Sequence, residues 1–491
     1  MPGNVVDAAD VRSGISLLVH PLLVDRGLRR YRLLSSVYGP RLEEWGVSLS
    51  FAHVRCYTTK FNRFFQKAGT WSKHVSRLWF TVGALAGVVL MFSSIIVLIF
   101  TLFQSLNLYQ DTRPVLTPVM PGVNLPWRDL SYYVVTLVVC GVFHEAGHAF
   151  AASLEQVRVN GFGIFVMFLY PGAFVDLHSD HLAVISPKRQ LRIYCAGVWH
   201  NVILVLFSIL LLWALPLLLA PLYTTGVGAY VTSVEGDSVL SDKLKAGEII
   251  TKMNGCLVHS TPDWFQCIEE LGNKNQPGYC LFSELLDRQE RFFLNQTTLL
   301  EDGGRECCDK DTQSDICFQV FPTKGRPSIF HCLTARTVSA REPCQHSRDC
   351  TGVLDFACAF PAISPESRLV RISHSEGPDV LFLGDPRSLP FSLSTSSYIP
   401  SSSLSPSWLP ELLQNLLMYL VSFSSALALL NMVPAYYLDG QWTLTALVEL
   451  CCESHLQEKT RRQICGVVLV TGSVLMVVNI AIALWTLSMW S

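Results

Sequence analysis

The sequence predicts a polytopic α-helical membrane protein, with about five to six transmembrane helices, a re-entrant β-hairpin segment and a cysteine-rich α/β insert. Three observations carry that expectation. Half of the 491 residues are hydrophobic while only 15% are charged, which lies outside the usual balance of a soluble domain of this size. Several separate apolar runs are long enough to cross a bilayer. Ten of the 16 cysteines crowd into one polar stretch between two of those runs. The formal net charge is -2, and the basic residues sit in short clusters beside apolar runs. That pattern excludes nucleic acid as a direct partner, because no broad basic face is available to it.

The spans follow from a requirement of about 20 apolar residues with few charges. Candidates are 78–106, 131–154, 193–222, 412–433 and 465–490. Only the second and third carry ionisable groups in their middle. The run "GFGIFVMFLYPGAFV" at 161–175 is too short and too rich in Gly and Pro to span as a helix, so it is expected to re-enter or lie at the interface as an extended hairpin. The shorter "ISLLVHPLLV" near the N-terminus reads as interfacial, since no cleavage site of small residues follows it. The expected organisation is therefore an N-terminal cytosolic or interfacial region (1–77), a first membrane part (78–222), a lumenal module (223–275), a cysteine-rich lumenal insert with a Ser/Pro linker (276–408), and a second membrane part (409–491).

Orientation follows from loop charge. Arg55, Lys60, Arg63, Lys67, Lys73 and Arg77 precede the first span, Lys188, Arg189 and Arg192 the third, and Lys459, Arg461 and Arg462 the last. Those loops belong on the cytosolic side, so the 107–130 connection and the long 223–408 segment face the lumen. Two features agree: the sole N-glycosylation sequon, "NQT" at Asn295, and the ten cysteines from Cys256 to Cys358 all fall in the long segment. Zinc binding by those cysteines is the competing explanation, but no paired C-x2-C spacing supports it.

The stretch from Gly226 to Leu271 reads as strand, turn, loop with a Lys-Ala-Gly-Glu turn, strand, Asn-Gly turn, strand, helix. That order resembles a PDZ module, whose sheet edge takes an extended peptide by strand addition. A disulfide-stapled β domain with no binding role is the plainer alternative. The run "SLSTSSYIPSSSLSPSW" at 392–408 reads as a linker into the membrane.

The second span contains "GVFHEAGHAF" at 141–150. His144 and His148 are four residues apart, so on a helix they share one face and can direct both imidazoles at one metal ion. Glu145 beside them is placed to take a proton from water at that metal, the H-E-x-x-H arrangement. Burying three ionisable groups in a span is costly, so they default to function. A catalytic zinc site wants a third protein ligand. Asp439, in "LLNMVPAYYLDGQW" at the cytosolic end of the fourth run, is the only acid between Glu411 and Glu449. It either caps the following helix or supplies that ligand. The orientation from loop charge favours the second, since both runs cross from lumen to cytosol and bring the three groups to similar depth.

"HEAGH" at 144–148 with "NMVPAYYLDG" at 431–440 resembles the site-2 protease family of intramembrane zinc metalloproteases, whose signatures H-E-x-x-H and N-x-x-P-x-x-x-L-D-G match at every fixed position. Similarity extends through "QLRIYCAGVWHN" and the cysteine-bearing insert, from about residue 37 to the C-terminus. The resemblance implies one zinc ion per chain held by His144, His148 and Asp439, with Glu145 activating water. It also implies that Asn201, Asn431 and Pro434 support the active site near bound substrate. Implied substrates are single-span, membrane-anchored transcription factor precursors, such as sterol regulatory element-binding proteins and ER-stress factors, cut first in the lumen by another protease. The implied setting is the lipid bilayer of the Golgi or endoplasmic reticulum, with the active site near the cytosolic side.

Gly161, Gly163, Pro171 and Gly172 would form a hairpin edge able to pair with an unwound substrate. A metal- or proton-coupled transporter is the alternative from a different class, because transporters also set His, Glu and Asp on broken helices. No internal repeat accompanies it. A pseudoprotease that only binds clients has no use for Glu145.

Overall fold

The structure, a computed structural model, describes residues 44–50, 53–70, 72–105, 126–167, 170–287, 289–308, 315–320, 329–350 and 356–490. The N-terminal segment expected at the interface and most of the 107–130 connection lie outside the described residues. The chain divides into two compact units, one of Met1–Ala214 with Leu413–Ser491 and one of Leu215–Leu412.

Among the described residues of the chain, five helices are long and apolar enough to cross a membrane: α1 (Lys73–Ser105), α2 (Leu130–Leu154), α4 (Ala196–Leu219), α5 (Leu409–Asn431) and α7 (Glu458–Trp490). They are helical because a segment in lipid must satisfy its own backbone. Their hydroxyls do the same locally: Thr101 donates to the Val97 carbonyl at 2.8 Å and Thr136 to the Tyr132 carbonyl at 2.6 Å. On α1, Leu85 and Ile96 are each 67% exposed, an arrangement that suits lipid and not water. The first and last helices begin earlier than hydropathy predicts, at Lys73 and Glu458, because their polar first turns continue the same backbone. The third predicted span begins later. Pro187–Tyr194 forms a separate short helix, α3, and α4 starts only after Cys195. A last short helix, α6 (Asp439–Cys452), lies between α5 and α7.

The run at 161–175 forms the expected hairpin within a larger sheet. Strands β1 (Val47–Ser50), β2 (His53–Thr58), β3 (Val159–Met167) and β4 (Tyr170–Leu177) make an antiparallel sheet in that order. Residues 47–58 fall in the region expected to be cytosolic or interfacial, and their pairing with a strand about a hundred residues away is invisible to local pattern. Phe65, Phe80, Ala149, Ala152, Phe162 and Ile193 bury one core against α2. Met91, Val198, Ala428, Met432, Leu444 and Leu469 bury a second, joining α1, α4, α5, α6 and α7.

In the other unit, β5 (Ala229–Val234), β6 (Ile249–Met253), β7 (Cys256–Leu257) and the helix Thr261–Asn273 appear in the order expected. Asn254 and Gly255 make the turn with positive φ of 47° and 92°, as an Asn-Gly hairpin requires. The sheet they begin is completed from far along the chain. Strands β13 (Arg368–His374), β14 (Val380–Gly384) and β15 (Leu393–Ser396) join it in the order β14-β13-β6-β5-β15. The Ser/Pro run at 392–408 is thus not simply a linker, since it contributes β15 and its Ile399–Pro400 pairs with Tyr223–Thr224. Between these halves, β8 (Gly278–Phe282), β9 (Asp315–Val320), β10 (Ile329–Thr334), β11 (Pro343–Cys344) and β12 (Phe356–Pro361) form a second antiparallel sheet. All ten cysteines of this unit pair: 256 with 267, 280 with 350, 307 with 317, 308 with 332 and 344 with 358. The cluster of Cys280, Cys344 and Cys350 is accounted for by two of these disulfides. Asn295 is exposed in a short turn of the same unit.

Candidate metal centre

Four residues of helical spacing put His144 and His148 on the inner face of α2, where they are 5% and 7% exposed. Their Nε2 atoms lie 3.2 Å apart. Asp439 Oδ2 stands 2.9 Å from the first and 3.3 Å from the second. Three donors of the zinc-binding kind thus form a nearly equilateral triangle. Ligands at the usual zinc distances define a tetrahedron whose edges are about 3.3 Å, so the three atoms fit one face of such a site and leave the fourth corner open. With both imidazoles neutral the trio carries only the formal charge of Asp439, and Glu145 adds a second. A divalent cation balances the two.

Asp439 reaches this point because α5 ends at Asn431 and the chain turns tightly before α6. Met432, Val433 and Ala435 are buried. Tyr437 adopts a positive φ of 70°, with its N–H donating to Gln441 Oε1 at 2.9 Å. Gly440 is needed for the return, because a Cβ there would sit 2.1 Å from the Val433 carbonyl oxygen. The capping alternative for Asp439 does not hold: the N-cap of α6 is Leu438, no side chain caps the helix, and the Asp439 carboxylate faces the two histidines. Pro434 lies in the same turn but packs elsewhere, its carbonyl against Gly472 of α7.

The remaining polar groups sort by which side of the trio they meet. His148 donates from Nδ1 to the Ile193 carbonyl at 2.8 Å, which fixes its ring with Nε2 inward. Asn431 Nδ2 approaches the inward Nε2 of His144 at 3.4 Å, whereas Asn201 Nδ2 approaches the outward Nδ1 at 3.2 Å. Glu145 Oε2 accepts from the Val175 N–H of β4 at 3.0 Å. Gly172 stands opposite Phe165 in the hairpin, where a Cβ would meet that ring at 2.5 Å. It makes room for an aromatic ring, and no recorded contact links it to the trio.

Gly197 escaped the sequence reading. A Cβ on it would lie 2.3 Å from His148 Nε2 and 2.7 Å from His144 Nε2, so α4 approaches the histidines as closely as it does only because this residue is glycine. The single hint was a small pair, Ala196-Gly197, at the start of an otherwise bulky span. Val175 and Ile193 were also missed, since both act through their backbones.

Residues 132–358 match the model of peptidase family M50. That stretch contains His144, Glu145, His148 and Asn201 and ends before Asp439. The chain is also similar to a curated relative from Arabidopsis thaliana, a membrane-bound transcription factor site-2 protease homolog. The two are 25% identical over 477 residues, covering 85% of this chain and 89% of the relative.

Proposed function

We propose that this chain, which matches the peptidase family M50 model over residues 132–358 and is similar to a site-2 protease homolog, is an intramembrane zinc metalloprotease that cuts single-span, membrane-anchored transcription factor precursors. The observation that carries the reading is the triangle of His144, His148 and Asp439 with a carboxylate, Glu145, one residue from the first donor. Zinc held by those three residues supplies Lewis-acid activation of water and of the scissile carbonyl. Glu145 is the general base: it takes the proton from the attacking water and passes it to the leaving amine. Its hydrogen bond from Val175 holds the carboxylate in place for that work.

The peptide bond to be cut starts inside a helix whose backbone is satisfied, so the substrate must first unwind. We assign its landing place to the outer edge of β4, the terminal strand of its sheet among the described residues, with the β3–β4 hairpin dipping into the membrane. Asn431, on the inward side of His144, is the amide we assign to the substrate backbone. The cysteine-rich unit is assigned to the lumen of the Golgi or endoplasmic reticulum, with Asn295 glycosylated and the PDZ-like sheet screening clients. The substrates are precursors such as sterol regulatory element-binding proteins and ER-stress factors, after a first lumenal cut. A transporter is not favoured: among the described residues the other cluster of metal-ligating side chains is made of disulfide cysteines, so those residues offer no second station for a travelling ion.

The test is to co-reconstitute the purified protein with a single-span precursor lacking its lumenal part and map the product ends by mass spectrometry. A cut within or beside the span, abolished by a zinc chelator and restored by zinc, supports the proposal. An intact precursor in the presence of bound zinc overturns it.

A further inference from the structure

Asn201 meets His144 on the edge of the ring that faces away from the other two donors, and we infer that it is a positioning residue: its amide oxygen accepts from His144 Nδ1–H and so holds Nε2 toward the metal. This rests on the zinc reading above. The side chain is fully buried within the span of α4, where an unsatisfied polar group is expensive. Its Nδ2 lies 3.2 Å from His144 Nδ1, and its Oδ1 is buried without a partner. An imidazole that ligates through Nε2 carries its proton on Nδ1 and needs an acceptor there, which an amide NH2 cannot be. Half a turn of the amide, whose oxygen and nitrogen are assigned from the hydrogen-bond network, brings Oδ1 onto Nδ1 and gives that N–H the acceptor it needs.

Two neighbours strengthen the assignment. His148 already has its outward Nδ1 on an oxygen, the Ile193 carbonyl at 2.8 Å, so an acceptor on Asn201 gives both histidines the same support. Gly197 is four residues before Asn201 and therefore on the same face of α4, and it meets the inward Nε2 atoms. One helical face thus clears space beside the ligating nitrogens and holds the far edge of one ring. Asn431, by contrast, approaches Nε2 itself and keeps its place on the substrate side.

The experiment compares zinc retention of the purified full-length protein in detergent against a graded chelator, for wild type, Asn201→Leu, Asn201→Ala and Asn201→Asp. The visible spectra of the cobalt-substituted proteins and the KM and kcat of each variant are measured alongside. The leucine and alanine variants are expected to lose zinc at about 10- to 100-fold lower chelator strength, with an altered cobalt spectrum and a fall in kcat rather than a rise in KM. Aspartate, which accepts but does not donate, is expected to hold zinc close to wild type. Alanine with wild-type zinc retention and a raised KM would make Asn201 a substrate contact and overturn the inference. Aspartate as weak as leucine would reduce it to packing and overturn it equally. Wild type without zinc would instead sink the metalloprotease reading itself.

Discussion

Helix α2 serves two buried polar groups with opposite logic. At its C-terminal end Glu155, 1% exposed, is met by two guanidinium groups: Arg189 Nε and Arg192 Nε each lie 2.6 Å from its carboxylate, and Arg189 also donates to the Glu155 carbonyl. Three donors meet three oxygens, and the carboxylate's charge is answered within the protein. Two to three turns earlier, His148 and His144 turn their Nε2 atoms toward each other and toward the Asp439 carboxylate, and among the described residues no Lys or Arg pairs with that carboxylate. The first group is complete as it stands; the second sets three donors of the kind a metal ion takes facing one point. Burial alone therefore does not mark a functional site in a membrane protein. What marks it is a set of buried acceptors that the protein leaves in common need of a positive charge.

Breaking each group sharpens the contrast. Replacing Asp439 by Asn, or His148 by Ala, is expected to reduce bound zinc to background and cleavage with it, while the protein remains extractable as a folded monodisperse species; metal analysis and size exclusion report both. Glu155→Ala should do the reverse. It takes the buried acceptor from two partly exposed arginines and is expected to cost about 1–3 kcal/mol of stability, read as a lower unfolding midpoint, while the zinc content of the surviving folded fraction is unchanged. Removing the Cys280–Cys350 disulfide, which closes the longest of the five loops at 70 residues, should cost about 2–5 kcal/mol in the cysteine-rich unit and again leave zinc in place.

The smallest effect is expected at Asp379. Burial pushes its pKa up, but the hydrogen bond and charge of Arg371 outweigh that and hold it below the usual carboxylate range. A depressed folded pKa contributes stability that is present above the unfolded value of about 3.9 and is lost as pH falls through the folded value. Asp379→Asn should therefore lower stability by no more than about 1 kcal/mol at neutral pH, with the difference vanishing in acid. Melting curves across pH 2–7 would show it.

The spans and the histidine pair were legible because their rules are local: lipid demands an apolar run and a metal demands two donors one helical turn apart. Asp439 was legible as a candidate because an acid at a broken helix end stands out, but only the turn through Val433 and Gly440 shows its carboxylate facing the histidines instead of capping. What was not legible depends on distant partners. The 47–58 strands acquire meaning only from β3, and the sheet begun at Ala229 closes only with Leu393–Ser396. Two of the three cations read as orienting the third span, Arg189 and Arg192, are bound to Glu155, a pairing across more than thirty residues that loop counting does not see. Asn201 was legible as support for the active site, but family resemblance names residues and not the edge of the ring they meet.

The decisive measurement is zinc content and cleavage of a truncated single-span precursor, made together on wild type and Glu145→Gln. About one zinc in both proteins, with cleavage falling by roughly 10²–10⁴-fold in the variant, is the predicted result and assigns Glu145 as the base beside a metal held by His144, His148 and Asp439. Equal cleavage by both, or wild type that cleaves without zinc, would contradict it.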